Sequence, residues 1–231
     1  MKTIGIIVAE ETKCIFKILG QPKDHYRECG FKIYEYPLKE NGRIVIVESG
    51  AGEIAASAGT QFMICRFAPE MILNFGVVGG LVDHMPAMKP CVVRDVTHYQ
   101  YDISQGGESI VGKYMFEKDR KIPTDEKLLE YVIKKVPGLE VVSCASGDKF
   151  VLENSERKML ADTFDCQICE MEAAGILLTA RRNKVPVCMI KAVSDGVTDH
   201  MEEFVNNVDD AAERCFEVLK KCFFEHIIDD V

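Results

Sequence analysis

Short runs rich in Ile and Val recur along the chain, at Ile4 to Ala9, Ile44 to Val47, Met71 to Phe75, Val92 to Val96, Val141 to Cys144, Ile168 to Met171 and Val187 to Val193. None alternates strictly with polar residues, the pattern expected of strands covered on both faces. Between several of them the apolar positions switch to helical spacing, notably over Ile54 to Phe67, Leu128 to Val136, Ala173 to Arg182 and Ala211 to Phe224. This alternation predicts an α/β chain with a central, mostly parallel sheet. Phe31 to Pro37 and Arg43 to Val47 differ: separated by Glu40-Asn41-Gly42, they predict a hairpin, because Asn-Gly favours a tight turn, and they make the sheet mixed. The stretch from Tyr99 to Pro123 has no clear period and contains Gly106-Gly107 with several aromatics, which predicts a lid or a subunit contact.

Composition narrows the class. With 231 residues, 47% hydrophobic and 28% charged, the chain is long enough to bury a sizeable core, and residues 1–231 read as one domain without repeats or linkers. A net charge of −9 argues against nucleic acid as a partner, since its backbone is bound through clustered Lys and Arg. The first apolar run is far shorter than the ~20 residues that span a bilayer and lacks a cleavage pattern, so it predicts a buried strand, no membrane segment and a cytoplasmic protein. Ten cysteines scattered among apolar neighbours read as reduced core thiols. Cys166 and Cys169 form a CxxC, but no second pair completes a zinc site and the pair falls in a predicted strand. The histidines are widely spaced, so neither a metal nor a cofactor is expected.

The candidate chemistry lies where strands end. Ser49-Gly50-Ala51-Gly52 precedes a helix, and its amides can meet an anion or simply form a tight turn. Gly76-Val77-Val78-Gly79-Gly80 reads as a strand-end loop that lets backbone approach a ligand; the Lys-Ser or Lys-Thr of a phosphate loop is missing. After Ser146-Gly147-Asp148, Phe150 and Val151 can form an apolar slot for a flat heterocycle, or belong to the core. In Cys169 to Gly175, reading CEMEAAG, Glu170 and Glu172 share one face of an extended segment, where a carboxylate can take two ribose hydroxyls or merely start a helix. Asp195 follows an apolar run with Ser194 before it. A carboxyl in a half-buried place can stay protonated and give its proton to a departing base, or it can cap the next helix.

Five pieces, IGIIVAEE at Ile4, SGAGEIAAS at Ser49, LNFGVVGGL at Leu73, SGDKFV at Ser146 and CEMEAAG with AVSDG, fall in an order and spacing that resembles the purine nucleoside phosphorylase and uridine phosphorylase superfamily. Within it the chain is most similar to the methylthioadenosine/S-adenosylhomocysteine nucleosidases. The resemblance covers nearly the whole length. It implies a three-layer αβα sandwich around a central mixed sheet, a homodimer, and cleavage of the N-glycosidic bond of an adenine nucleoside. It also implies roles: Asp195 protonates N7 of the leaving adenine beside Ser194, Glu172 binds the ribose over Met171, and Phe150 and Val151 hold the base.

The resemblance implies hydrolysis rather than phosphorolysis, because Leu73-Asn74-Phe75 carries no arginine before the glycine run and a phosphate dianion without a guanidinium fork is poorly held. Two positions depart from the family pattern. Val77 stands where a serine or threonine is usual, and an ungapped match puts Lys13 in place of the water-activating glutamate. A tighter loop would bring Glu11 to that place. The expected function is therefore hydrolysis of methylthioadenosine, S-adenosylhomocysteine or a close relative, a small-molecule nucleoside. The alternatives are a phosphate-dependent phosphorylase of the same fold and a nucleoside-binding protein with weakened catalysis.

Overall fold

In a computed structural model, residues 2–39, 41–107, 109–197 and 200–225 are described. The predicted runs become the inner strands. β1 (Thr3–Val8) and β10 (Val187–Asp195) are buried at every position, and each Ile or Val so buried stabilises the fold by about 1.5–3 kcal/mol. With β4 (Gly42–Glu48), β5 (Met71–Gly80), β6 (Pro90–His98), β8 (Glu140–Ser146) and β9 (Ile168–Glu170) they form the middle of one ten-stranded sheet. The predicted hairpin is present: β3 (Phe31–Leu38) pairs antiparallel with β4, with Leu38 opposite Gly42. Glu40 of the predicted turn lies outside the described residues. β2 (Asp24–Glu28) reads DHYRE and carries no apolar run; its charges suit the sheet edge it forms beside β3.

The sheet is less parallel than its apolar runs suggest. Parallel pairings join β1 to β4 and β5, β5 to β10, and β8 to β6 and β9. The others, among them β10 with β6 and β5 with β9, are antiparallel. Because β5 pairs with β10 along its length and with β9 at Gly79 and Gly80, the strands β5, β10, β6, β8 and β9 close into a ring. Continuous burial signals a covered strand without signalling its direction, which explains the difference.

Helices cover both faces, giving the three layers. α2 (Glu53–Phe67) and α5 (Ala173–Arg182) pack on one side through Ala56, Met63, Ile176 and Leu177. α1 (Thr12–Leu19), α3 (Glu126–Lys135) and α6 (His200–Phe223) pack on the other, with Ile15, Val132, Phe216 and Leu219 facing the strands. α4 (Asn154–Phe164) follows β8 and buries Leu160 and Phe164 in a third, smaller cluster. No helix of the described residues is long and apolar enough to cross a membrane. The ten cysteines are free thiols; eight are buried as expected, while Cys29 and Cys65 are exposed.

From Tyr99 to Pro123 the described residues hold only a single 3-10 turn and the two-residue β7 (Ile122–Pro123); Glu108 lies outside them. The segment is nonetheless packed, with the Tyr101 and Tyr114 rings stacked at 3.8 Å and Tyr114 hydrogen-bonded to His98 Nδ1 at 2.8 Å.

Candidate active site

The glycine run is where sequence and structure part most usefully. Gly76 to Gly80 continues β5 as paired strand rather than leaving it as a loop, with Lys191 to Asp195 alongside and Cys169 opposite Gly79. Its glycines make room for side chains. A Cβ on Gly76 would lie 2.9 Å from Glu11 Oε1, and one on Gly79 would lie 3.1 Å from both Arg157 Nη2 and Cys169 Sγ. The strand can therefore carry charged groups pressed against its backbone.

Around this end of β5 lies a cavity of about 240 Å³ whose walls include all eight residues singled out from the sequence: Glu11, Val77, Phe150, Val151, Met171, Glu172, Ser194 and Asp195. A larger open groove of about 1220 Å³ runs past Pro186 and Val187, at the start of β10. In α/β sheets ligands sit at the carboxyl ends of strands, so the smaller cavity is the candidate site.

Glu11 precedes α1, and its carboxylate accepts from the amides of Glu10 at 3.0 Å and Val77 at 3.4 Å. Lys13, the residue that an ungapped match favours, is exposed on α1 and does not line the cavity. Val77 contributes its backbone amide where a hydroxyl was expected.

Asp195 ends β10 and is 1% exposed, fully rather than half buried. Ser194 Oγ donates to its Oδ1 at 2.6 Å, and the Arg157 guanidinium donates to Oδ2. Phe150, 41% exposed, stands at the cavity rim against Phe204 of α6, ring centroids 5.1 Å apart and nearly perpendicular, while Val151 is buried.

Glu170 and Glu172 divide the work expected of either. Glu170 ends β9, accepts from the amides of Glu172 and Ala173 at the start of α5, and pairs with Lys191 Nζ at 3.3 Å in a fully buried ion pair. Glu172 turns to the cavity, where the Gly52 amide donates to its Oε1 at 2.9 Å. The amide freed by the Ser49 to Gly52 turn thus meets an anion of the protein itself. Burial, and then the neighbouring Glu170 charge, raise the Glu172 carboxyl to about 7. Burial also raises Glu53 to about 8, with Glu170 adding to it; its carboxylate caps α5 at Gly175 and accepts from Ser146 Oγ at 2.5 Å. The Lys191 pKa is raised too, but by charge rather than by burial. Burial lowers its pKa, but the Glu170 and Glu172 charges outweigh that and hold the ammonium above its ordinary value.

Four participants lie outside the residues singled out from the sequence: Lys191, Arg157, Phe204 and Val208. Lys191 had a signal, a lone lysine inside a strand buried at every position, which must be paired. Arg157 had none, because a charge on a short helix ordinarily faces water. Phe204 and Val208 reach the cavity because α6 begins eleven residues before Ala211, and that first part carries little apolar periodicity. No described residue from Tyr99 to Pro123 lines the cavity, so the described part of the segment is not a lid over it within one subunit.

A doubly covered mixed sheet with paired acids at the strand ends around a small cavity is a setting for chemistry on a small polar ligand, and comparison with known families supplies the class. Residues 6–223 match the family model described as the phosphorylase superfamily, and the chain belongs to that superfamily. Within it the chain falls in the nucleosidase branch. It is 30% identical over 205 residues to the 5′-methylthioadenosine/S-adenosylhomocysteine nucleosidase of Glaesserella parasuis, covering 83% of this chain and 85% of the relative. It is 28% identical over 202 residues to the enzyme of that name from Shewanella loihica, covering 85% and 87%. Among solved structures, the Helicobacter pylori nucleosidase bound to a pyrrolidine inhibitor and the futalosine hydrolase of the same organism each superpose with a TM-score of 0.90 at 24% identity, over 97% of this chain and 98% of theirs.

Proposed function

We propose that this protein is an N-glycosidase that hydrolyses an adenine nucleoside, 5′-methylthioadenosine, S-adenosylhomocysteine or a close relative, to adenine and the free sugar. The observation that carries this reading is the placement of two carboxylates along β5. Glu11 is held at Val77 and Asp195 is level with Gly79, roughly 7 Å further along the strand, a span that admits a base and its sugar between them.

Adenine leaves poorly as an anion. Asp195, oriented by Ser194, gives a proton to N7, and Phe150 and Val151 hold the ring flat beside it. Glu172 binds the ribose hydroxyls above Met171, and its negative charge opposes the positive charge that develops on the sugar. Glu11 takes a proton from the water that attacks the anomeric carbon.

Water is favoured over phosphate by charge. The cavity walls carry Glu10, Glu11, Glu170, Glu172 and Asp195 against Lys149 and Arg157. Lys149 is paired with Glu156 at 2.6 Å, and the guanidinium of Arg157 is committed to acceptors of the protein. A phosphate dianion there would meet repulsion without an arginine fork, whereas neutral water meets none.

Incubation with methylthioadenosine in phosphate-free buffer is expected to release adenine and the unphosphorylated sugar. Glu11→Gln is expected to lower kcat by roughly 10²–10⁴-fold. Strict dependence on added phosphate, with a sugar 1-phosphate as product, would overturn the reading. S-adenosylhomocysteine and futalosine belong in the same panel.

We also propose a homodimer. Ile54 on α2 is 82% exposed, and Met115 and Phe116 are 86% and 60% exposed. Ile54 and Phe116 share a groove with Tyr114, an apolar face that a second copy would cover. Light scattering is expected to give twice the chain mass, and Ile54→Asp to give the monomer; a wild-type monomer would rule the dimer out.

A further inference from the structure

Arg157 has protein acceptors for all its donors before any ligand arrives, and what it holds is informative. The residue is 2% exposed. Its Nε donates to the Val151 carbonyl at 3.1 Å, and Nη2 donates to the same oxygen at 2.9 Å and to Asp195 Oδ2. Nη1 donates to the carbonyls of Gly80 at 3.0 Å, Gly196 at 2.8 Å and Asp195 at 3.3 Å. A guanidinium has five N–H donors, and here all of them have acceptors inside the protein. None is left to bind substrate.

The acceptors come from three separate pieces of chain: the turn after β8 at Val151, the end of β5 at Gly80, and the end of β10 at Asp195 and Gly196. These are the pieces that bound the base side of the cavity. Gly79 lies against the guanidinium so closely that a Cβ would sit 3.2 Å from its Cζ, which fixes the planar group directly behind the slot. Ser194 and Arg157 occupy two of the roughly four lone-pair sites of the Asp195 carboxyl group, which leaves a site on its oxygens to carry the proton destined for N7.

We propose that Arg157 is a positioning residue for base release, a single guanidinium that sets the proton-donating group of Asp195 and the slot at Val151 in one fixed geometry. The proposal rests on the assignment of Asp195 as the acid. Its consequence is specific: misplacing a reacting group by about 1 Å can cost on the order of 10²-fold in rate, while ribose contacts made by Glu172 and Met171 do not depend on Arg157.

The test is a double-mutant cycle on methylthioadenosine turnover with Arg157→Met, Asp195→Asn and the pair combined, with Arg157→Lys alongside. For folded Arg157→Met, kcat is expected to fall by about 100-fold with KM within about threefold of wild type, and the double variant to be no worse than Asp195→Asn alone, because the guanidinium then has no acid to place. Arg157→Lys retains charge but has three donors for acceptors on three pieces of chain, so it is expected to keep the fold and recover only part of kcat. If Arg157→Met does not fold, Arg157→Lys decides: lower kcat at unchanged Tm supports the proposal, and unchanged kcat overturns it. A folded Arg157→Met with wild-type kcat, a loss confined to KM, or additive effects in the cycle overturns positioning while leaving the nucleosidase reading intact. A wild-type protein that releases no base from any nucleoside overturns both.

Discussion

Asp195→Asn is expected to reduce adenine release by about 10³-fold, within the range of ~10²–10⁴ that a positioned acid contributes. The substitution is nearly isosteric and keeps an acceptor for Ser194, so the cavity keeps its shape. What is lost is the proton for N7, which an amide cannot supply. Some stability is lost too, because Arg157 then faces a neutral group in a site where both side chains are almost inaccessible, and breaking a buried pair costs roughly 3–5 kcal/mol before relaxation. The two effects separate experimentally: circular dichroism and a urea melt follow the fold, while calorimetry with methylthioadenosine is expected to show binding without turnover. A folded variant with activity within about tenfold of wild type would mean that another group protonates the base.

Lys191→Met is expected to destabilise the fold by roughly 3–5 kcal/mol at pH 8. Lys191 is the cation buried beside Glu170, and Glu172 and Glu11 add to the field it answers. Methionine fills the space but leaves those carboxylates uncompensated. The sign of the pH dependence follows from Glu172, whose folded-state value of about 7 lies above its ordinary 4.5. An acid shifted upward is accommodated fully when protonated in both states, below the unfolded value, and loses that stability as pH rises through the folded value. Removing Lys191, which holds Glu172 down, moves the upper edge of this window higher. The deficit of the variant is therefore expected to be greatest above about pH 7 and to shrink towards pH 4.5, as read from denaturant midpoints at a series of pH values. Equal deficits at pH 5 and pH 8 would show that packing, not charge, accounts for the loss.

Both predictions concern groups whose importance was unequally visible in the chain. Asp195 stands out because it ends a strand of apolar residues, and Glu172 because it opens a helix directly after another. Glu11 was visible only as one of two adjacent acids, and its competitor Lys13 was one short step away. Helix α1 turns Lys13 to solvent, while Glu11, just before it, lies over Gly76, where the missing Cβ leaves it room.

The sequence by itself determined the seven covered strands, the hairpin, most helices and eight of the residues that line the cavity, because burial periodicity and strand-end position are local properties that a chain carries in its pattern. It did not determine strand direction, the closure of β5, β10, β6, β8 and β9 into a ring, or the continuation of the glycine run as strand. Nor did it reveal the partners of its charges. Arg157 and Asp195 are 38 residues apart and Lys191 and Glu170 are 21 apart, and no local pattern encodes which buried charge answers which. Only the tertiary structure decides that, because the cost of burying each charge is offset by a group that the fold alone brings within reach.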